Sequence, residues 1–246
     1  MLLSMDPDHD PVEGMIGMEV LEQFDVDFDF PAGRLRLWKP HSVESVARRA
    51  GMTTIDALVV NETRLLGFRV VPSTATTTAT SAVTKGSSSS TGRVVAAQPF
   101  LGVVDCGASF SVVNWAAASL LGLPPQSDKS YYGRRPSVIG LGVDGQPQLL
   151  PTATVGLSYC GNSILTKNNN QGKATMAFEA PPSEWKPWSD INVAVGDLPV
   201  FTQLLGDGRT PYRGPAGIIG LDILSQRRLI LETSASRQRR IYVGRG

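Results

Sequence analysis

Phe100-Leu101-Gly102-Val103-Val104-Asp105-Cys106-Gly107-Ala108-Ser109-Phe110-Ser111-Val112-Val113 is the most informative stretch of this chain. An apolar run, expected to start near Val94, delivers one acid, Asp105, into a turn of glycine and small residues. A second apolar strand follows, then a helical stretch over Ala116–Leu121 that Gly122 stops. Taken alone, an acid at the end of an apolar strand is an ordinary turn former or helix cap. Its surroundings give it another meaning.

Further out, the chain repeats itself. Gly14-Met15-Ile16-Gly17-Met18-Glu19-Val20-Leu21 matches Gly217-Ile218-Ile219-Gly220-Leu221-Asp222-Ile223-Leu224 position for position, at an offset of 217 − 14 = 203. Beyond that run Gln23 pairs with Gln226, Asp29 with Glu232, Arg34 with Arg237 and Arg36 with Arg239. A long period of this kind marks duplicated domains rather than a solenoid. Each copy predicts a short helix with an acid in its first turn, Glu19 or Asp222, and then two strands. In the first copy Asp25–Phe30 alternates polar and apolar, Pro31-Ala32-Gly33 turns the chain, and Arg34–Trp38 alternates again. In the second, Leu229, Leu231, Ile241 and Val243 follow the same pattern around a longer turn.

The order of these elements resembles the aspartic-protease family, in its retropepsin-like and pepsin-like forms. Asp105-Cys106-Gly107-Ala108 stands where the family has Asp-Thr/Ser-Gly-Ala, with Ser109 next. Ile218-Ile219-Gly220 matches the downstream hydrophobic-hydrophobic-Gly element that supports the site. The resemblance implies an all-β acid-protease barrel lobe with one or two short helices. It further implies an aspartic endopeptidase in which Asp105 is paired with a second aspartate from another lobe. Two carboxylates about 3 Å apart cannot both ionise, so they share a proton. One then acts as base toward a water and the other as acid toward the peptide carbonyl. The partner lobe is either another copy of the chain or a full first repeat in a longer parent. By the same resemblance Val138–Gly145, with Ile139, Gly140, Leu141 and Gly142 at its centre, is the substrate-covering flap, and the substrate is an extended polypeptide. Cys106 departs from the pattern. The family's hydroxyl braces the two loops across the lobe interface, and a thiol is a weaker, longer donor. A catalytically impaired dimerisation or peptide-binding module is therefore the alternative.

On this basis residues 1–40 are expected to be the closing end of a first lobe, 41–53 a linker with a short basic helix ending at Gly51, and 54–246 a complete lobe. Within it, Ala57–Asn61 and Leu65–Val71 form a hairpin. The Ser/Thr-rich tract 73–92 is expected to be a flexible insertion with little to bury.

Composition removes several other classes. With 246 residues and 41% hydrophobic content the chain can bury a real core, and 25 Gly with 17 Pro favour a turn-rich β protein. A net charge of +1 offers no general attraction to nucleic acid or anionic lipid, so neither a nucleic-acid nor a membrane partner is expected. No apolar run is long enough to span a bilayer. The start, with Asp6, Asp8 and Asp10 after a very short apolar stretch, lacks the pattern of a secretory leader. That leaves an intracellular protein or a start that is not native, with the compartment undetermined. Two cysteines (Cys106, Cys160) and two histidines (His9, His41) form no disulfide framework and no metal-ligand spacing, so no metal or cofactor is expected.

Other motifs have ordinary explanations. Asn61-Glu62-Thr63 is read as a hairpin turn rather than a glycosylation site. Gly140, Gly142 and Gly145 fit a dinucleotide pattern, but Pro147 and Pro151 follow where a helix should open. Cys106 as a nucleophile lacks a base, since both histidines precede the domain. Glu19 and Asp222 are explained by helix starts. Trp115, Trp185 and Trp188 are expected in the core or at its rim, and Arg237, Arg239 and Arg240 on the exposed face of a terminal strand.

Overall fold

Valine, isoleucine and threonine crowd the segments between glycines and prolines, and residues with branched β-carbons favour strands over helices. The computed structural model describes residues 16–60, 64–82, 89–95, 97–131, 137–141, 146–167, 174–234 and 239–245. Among them strands dominate, and the longest α-helix, Pro199–Leu205, has 7 residues. The expected all-β class is what is found. None of these helices is long and apolar enough to cross a membrane.

The main sheet closes on itself. Strand Pro147–Tyr159 pairs with Trp188–Val195, which pairs with Val112–Val113; then come Ala216–Ile219, Phe100–Val104 and Leu66–Pro72, which pairs back onto Pro147–Tyr159. A ring of six strands leaves no free edge within it. The long strand Pro147–Tyr159 also pairs with Ser137–Leu141, and its register against Trp188–Val195 shifts between Val155 and Leu157; such a bulge bends a strand. Gly156 sits at the bend, where an added Cβ would lie 2.4 Å from Ser73 Oγ. Phe68, Leu157, Val193, Ile219, Ile223 and Ile241 belong to the core that fills this barrel.

A second sheet joins the two repeat copies. Its strand order is Arg34–Trp38, Asp25–Asp29, Leu229–Leu231, Arg240–Val243, Thr53–Asp56. Val26 faces Leu231, Asp27 faces Ile230 and Phe28 faces Leu229. At the repeat offset, Val26 corresponds to Leu229, Asp27 to Ile230 and Phe28 to Leu231. Each residue therefore faces the counterpart of its mirror position about Asp27, and a local two-fold axis passes between Asp27 and Ile230. The helix Glu44–Arg49 packs beside this sheet, where Val43 and Ala47 share a cluster with Ile230 and Tyr242. Gly51, at φ +62, ends it.

Asp27 is wholly buried at that axis and needs compensation. Arg228, from the second copy, grips it with two bonds, Nε to Oδ1 at 2.8 Å and Nη2 to Oδ2 at 2.6 Å. Arg36 Nη1 and Trp38 Nε1, from the first copy, each donate to Oδ2 at 3.2 Å. Burial works against the charged carboxylate, but the bonds from Arg228 and Trp38 and the two positive charges outweigh it and hold its pKa below the usual range.

Three features differ from expectation. Part of the Ser/Thr tract expected to be a flexible insertion forms a ladder: Thr76–Ala82 pairs antiparallel with Ser89–Val95, from Thr76 opposite Val95 to Ala82 opposite Ser89. Threonine is a strand former even where it has little to bury. Ser89–Val95 and Phe100–Val104 are separate strands in different sheets rather than one run from Val94, with Pro99 just before the second. Arg239 is buried rather than exposed and donates to the Arg64 carbonyl at 3.3 Å; Arg237 and residues 61–63 lie outside the described residues.

The Asp27 cluster yields a test. Asp27→Asn removes the carboxylate that both Arg36 and Arg228 bond, and breaking a buried pair costs about 3 kcal/mol. Urea unfolding should show that loss at pH 7. Because the folded pKa of Asp27 is depressed, its contribution is present above the unfolded value of about 3.9 and fades as pH falls through the folded value. Parent and variant should therefore converge only in strong acid.

Candidate active site

Phe100–Val104 and Val112–Val113 flank Ala216–Ile219 on opposite sides, the first parallel and the second antiparallel. Residues 105–111 must therefore cross over the end of Ala216–Ile219 to pass from one side to the other. Asp105 stands at the start of that crossing. Its N–H donates to the Ile219 carbonyl at 3.0 Å, which extends the parallel pairing by one residue and fixes where the carboxylate begins.

Gly220 makes the crossing close. An added Cβ would lie 2.8 Å from the Ala108 oxygen and from the Phe110 carbonyl carbon and oxygen. Its φ of −96° is ordinary, so the requirement is space, not backbone conformation. Leu221 N–H then donates to the Ala108 carbonyl at 2.8 Å.

The underside is held by polar groups that local sequence did not reveal. Ser111 Oγ donates to Asp222 Oδ1 at 2.6 Å and accepts from Gly220 N–H at 2.9 Å, and Ser111 N–H donates to Asp222 Oδ2 at 3.0 Å. Asp222 is structural, as expected, yet its role is not merely to start a helix: it clasps the far end of the Asp105 loop. Asn114 clasps the other side of the crossing. Its Nδ2 donates to the Gly214 carbonyl at 2.7 Å, while its Oδ1 accepts from Ala117 N–H at 2.9 Å and Ala216 N–H at 3.0 Å. One amide thus caps the helix Trp115–Leu120 and pins the strand Ala216–Ile219. The available signal was a polar residue at each end of Val112-Val113, since a buried polar group requires partners.

Asp105 itself is half-buried at the loop's head. Oδ1 accepts from Gly107 N–H at 2.8 Å, a turn that orients the carboxylate, and Oδ2 has no hydrogen-bond partner among the described residues. Ala108 N–H donates to the Asp105 carbonyl at 3.2 Å. Gly107, Ser109 and Phe110 are exposed beside it. The Cys106 side chain packs against the main core. Burial, aided by the adjacent Asp105 charge, pushes its thiol up to about 12, so it stays protonated and is a poor nucleophile at neutral pH.

Of the remaining sequence-predicted residues, Ile218 and Ile219 lie buried next to the Asp105 strand. Ala108, Val112 and Ile218 share an apolar cluster with Val138, Leu150 and Phe201. That cluster couples the Asp105 loop to the hairpin formed by Ser137–Leu141 and Pro147–Tyr159. Ile139, Gly140 and Leu141 fall in the first strand of this hairpin, and Gly142 to Gly145 lie outside the described residues. Among the described residues no group of three or more His, Cys, Asp and Glu side chains could hold a metal ion.

No family model matches this sequence, and no curated protein matches it. Among solved structures the chain is similar to a retropepsin-like aspartic protease from Rickettsia conorii, with 11% identity and a TM-score of 0.35, over 78% of this chain and 92% of that one.

The two polar clasps predict a shared cost. Asn114→Ala strands the Gly214 carbonyl and the Ala117 and Ala216 N–H groups, and each unsatisfied buried group costs about 1–3 kcal/mol. Chemical denaturation should show a loss of at least about 3 kcal/mol, well above that of an exposed control such as Asn192→Ala.

Proposed function

We propose that this chain provides one half of an aspartic endopeptidase site, with Asp105 as its carboxylate and a second lobe supplying the other. The observation that carries this reading is the crossing loop. A half-exposed acid, with one oxygen oriented by a backbone N–H and the other left for a water, sits on a rigid, glycine-floored turn. Paired with its counterpart, Asp105 shares one proton. The ionised carboxylate takes a proton from the water, whose oxygen attacks the peptide carbonyl carbon; the protonated one gives its proton to the carbonyl oxygen. The tetrahedral adduct collapses as the carboxyl that took the water's proton gives it to the amide nitrogen and the C–N bond breaks. A hydroxyl of the adduct returns its proton to the other carboxylate, which restores the shared proton. The substrate is an extended polypeptide, covered by the hairpin that contains Ile139, Gly140, Leu141 and Gly142.

The partner is better matched by a first-repeat lobe than by a second copy of the chain. The strand Leu229–Leu231 already has both edges filled, by Asp25–Asp29 and Arg240–Val243. Moreover, Ile16 is 63% exposed and Val20 42%, whereas their repeat counterparts Ile219 and Ile223 are each 1% exposed. A lobe closing on residues 16–38 would bury the first pair as this lobe buries the second.

One observation favours the second reading, a module with impaired chemistry. The Cys106 side chain is turned into the core, so the cross-lobe bracing of a Thr or Ser hydroxyl is missing, a loss of about 1 kcal/mol per bond.

Two substitutions separate these readings. With the first-repeat lobe joined to this chain, cleavage of an unfolded protein at acid pH should fall at least about 100-fold in Asp105→Asn, and pepstatin should inhibit only the parent. Cys106→Ser should retain cleavage, whereas a thiol nucleophile would lose it. Equal rates for Asp105→Asn and parent would defeat the assignment of Asp105. If neither form cleaves but both bind peptide, the binding module is the better description.

A further inference from the structure

Away from the Asp105 loop, the outer face of the barrel carries a cation without an acid. Phe68 and Val70 point into the core, so Arg69 between them points outward. Leu101 faces Arg69 across the ladder and shares its side of the sheet, and Leu58 pairs with Gly67, two residues away. A second wall stands against them. It is the strand Ala174–Glu179, on which Met176 and Phe178 share one face. Residues 97–99, which carry the chain from Ser89–Val95 to Phe100–Val104, join the two walls.

The groove so formed has a volume of about 510 Å³, within the range of ordinary small-molecule sites. Apart from Arg69 and Gln98, every side chain that lines it is hydrocarbon, aromatic or thioether. Among the described residues the Arg69 guanidinium makes no hydrogen bond and no ion pair, and the Gln98 amide makes no hydrogen bond. The positive charge bears on the groove's inner wall. Cys160 packs there with Ala97 and Phe178, and its N–H donates to the Arg69 carbonyl at 3.1 Å. Burial pushes the Cys160 thiol up to about 12, and the Arg69 charge is what pulls it the other way. Met176, 62% exposed, lies at the groove's mouth.

An anion with a hydrocarbon body matches both features. A carboxylate accepts two parallel N–H bonds from a guanidinium, and an alkyl chain displaces water from the apolar walls. An inorganic anion would leave those walls wet. A peptide would bring an N–H and a C=O with every residue, more than two polar side chains can satisfy. We propose that this groove binds a monocarboxylate with an alkyl tail, a medium-chain fatty acid in its chemistry, its head on Arg69 and Gln98 and its tail along Leu101, Phe178 and Met176. The site lies at the far end of the strand that delivers Asp105, and it holds whether or not the chain cleaves peptides.

Three ligands with one tail test this. In calorimetric titrations of the full chain, octanoate should bind at least about tenfold more tightly than octanol or octylammonium. Arg69→Met keeps a straight side chain on the wall and removes the charge, so that variant should lose the preference for octanoate. In the parent, octanoate should shift the Met176 methyl signal in NMR spectra, identified by its absence from Met176→Leu. Equal affinity for the three ligands would overturn the proposal, as would an unmoved Met176 signal or a preference that persists in Arg69→Met. A neutral apolar peptide that binds as tightly as octanoate would also overturn it. If Arg69→Met does not fold, the ligand series and the Met176 signal decide.

Discussion

Everything at the candidate site depends on a strand threaded between two others. Ala216–Ile219 has Phe100–Val104 on one side and Val112–Val113 on the other, so the seven residues from Asp105 to Ser111 must pass over its end. Such a crossing stacks backbone on backbone inside a core, where each peptide group needs a partner and each side chain competes for room. Gly220 supplies the room, and Ser111, Asn114 and Asp222 supply the partners. A carboxylate on this loop has little freedom to drift, and that restriction is what reactive geometry demands of its support.

The second sheet operates on a larger scale. Two copies of one hairpin meet antiparallel about an axis through Asp27 and Ile230. Arg228 reaches from one copy to the buried acid of the other, so the contact is specified by charge as well as by backbone pairing. Leu229, which follows Arg228 directly, and Ile223 and Leu224 of the helix after Gly220 belong to the same packed core as Val104 and Ile219 beside the crossing loop.

Much of this was legible from the residues. The apolar run into Asp105, the Gly-Ile-Ile-Gly element and the duplicated hairpin are local patterns, and local patterns survive folding because strand periodicity and turn chemistry act over a few residues. The clasps were not legible, because Ser111 and Asp222 are 111 residues apart and nothing in either neighbourhood names the other. Arg239 misled for a related reason: alternation along a strand marks which residues share a face, but whether that face is covered depends on elements elsewhere. The Thr-rich ladder shows the reverse: low complexity points to a loop, while the intrinsic strand preference of threonine favours the ladder.

The unlike residues at the axis have a consequence for recognition. If two Asp25–Asp29 strands met each other in this register, two Asp27 carboxylates would stand directly opposite at the buried centre, and facing like charges are destabilising. Meeting Ile230 instead, the acid faces hydrocarbon and keeps Arg228 to itself. The strand thereby rejects its own twin and favours its diverged counterpart. The two halves of the sequence repeat thus meet in a junction that tells left from right.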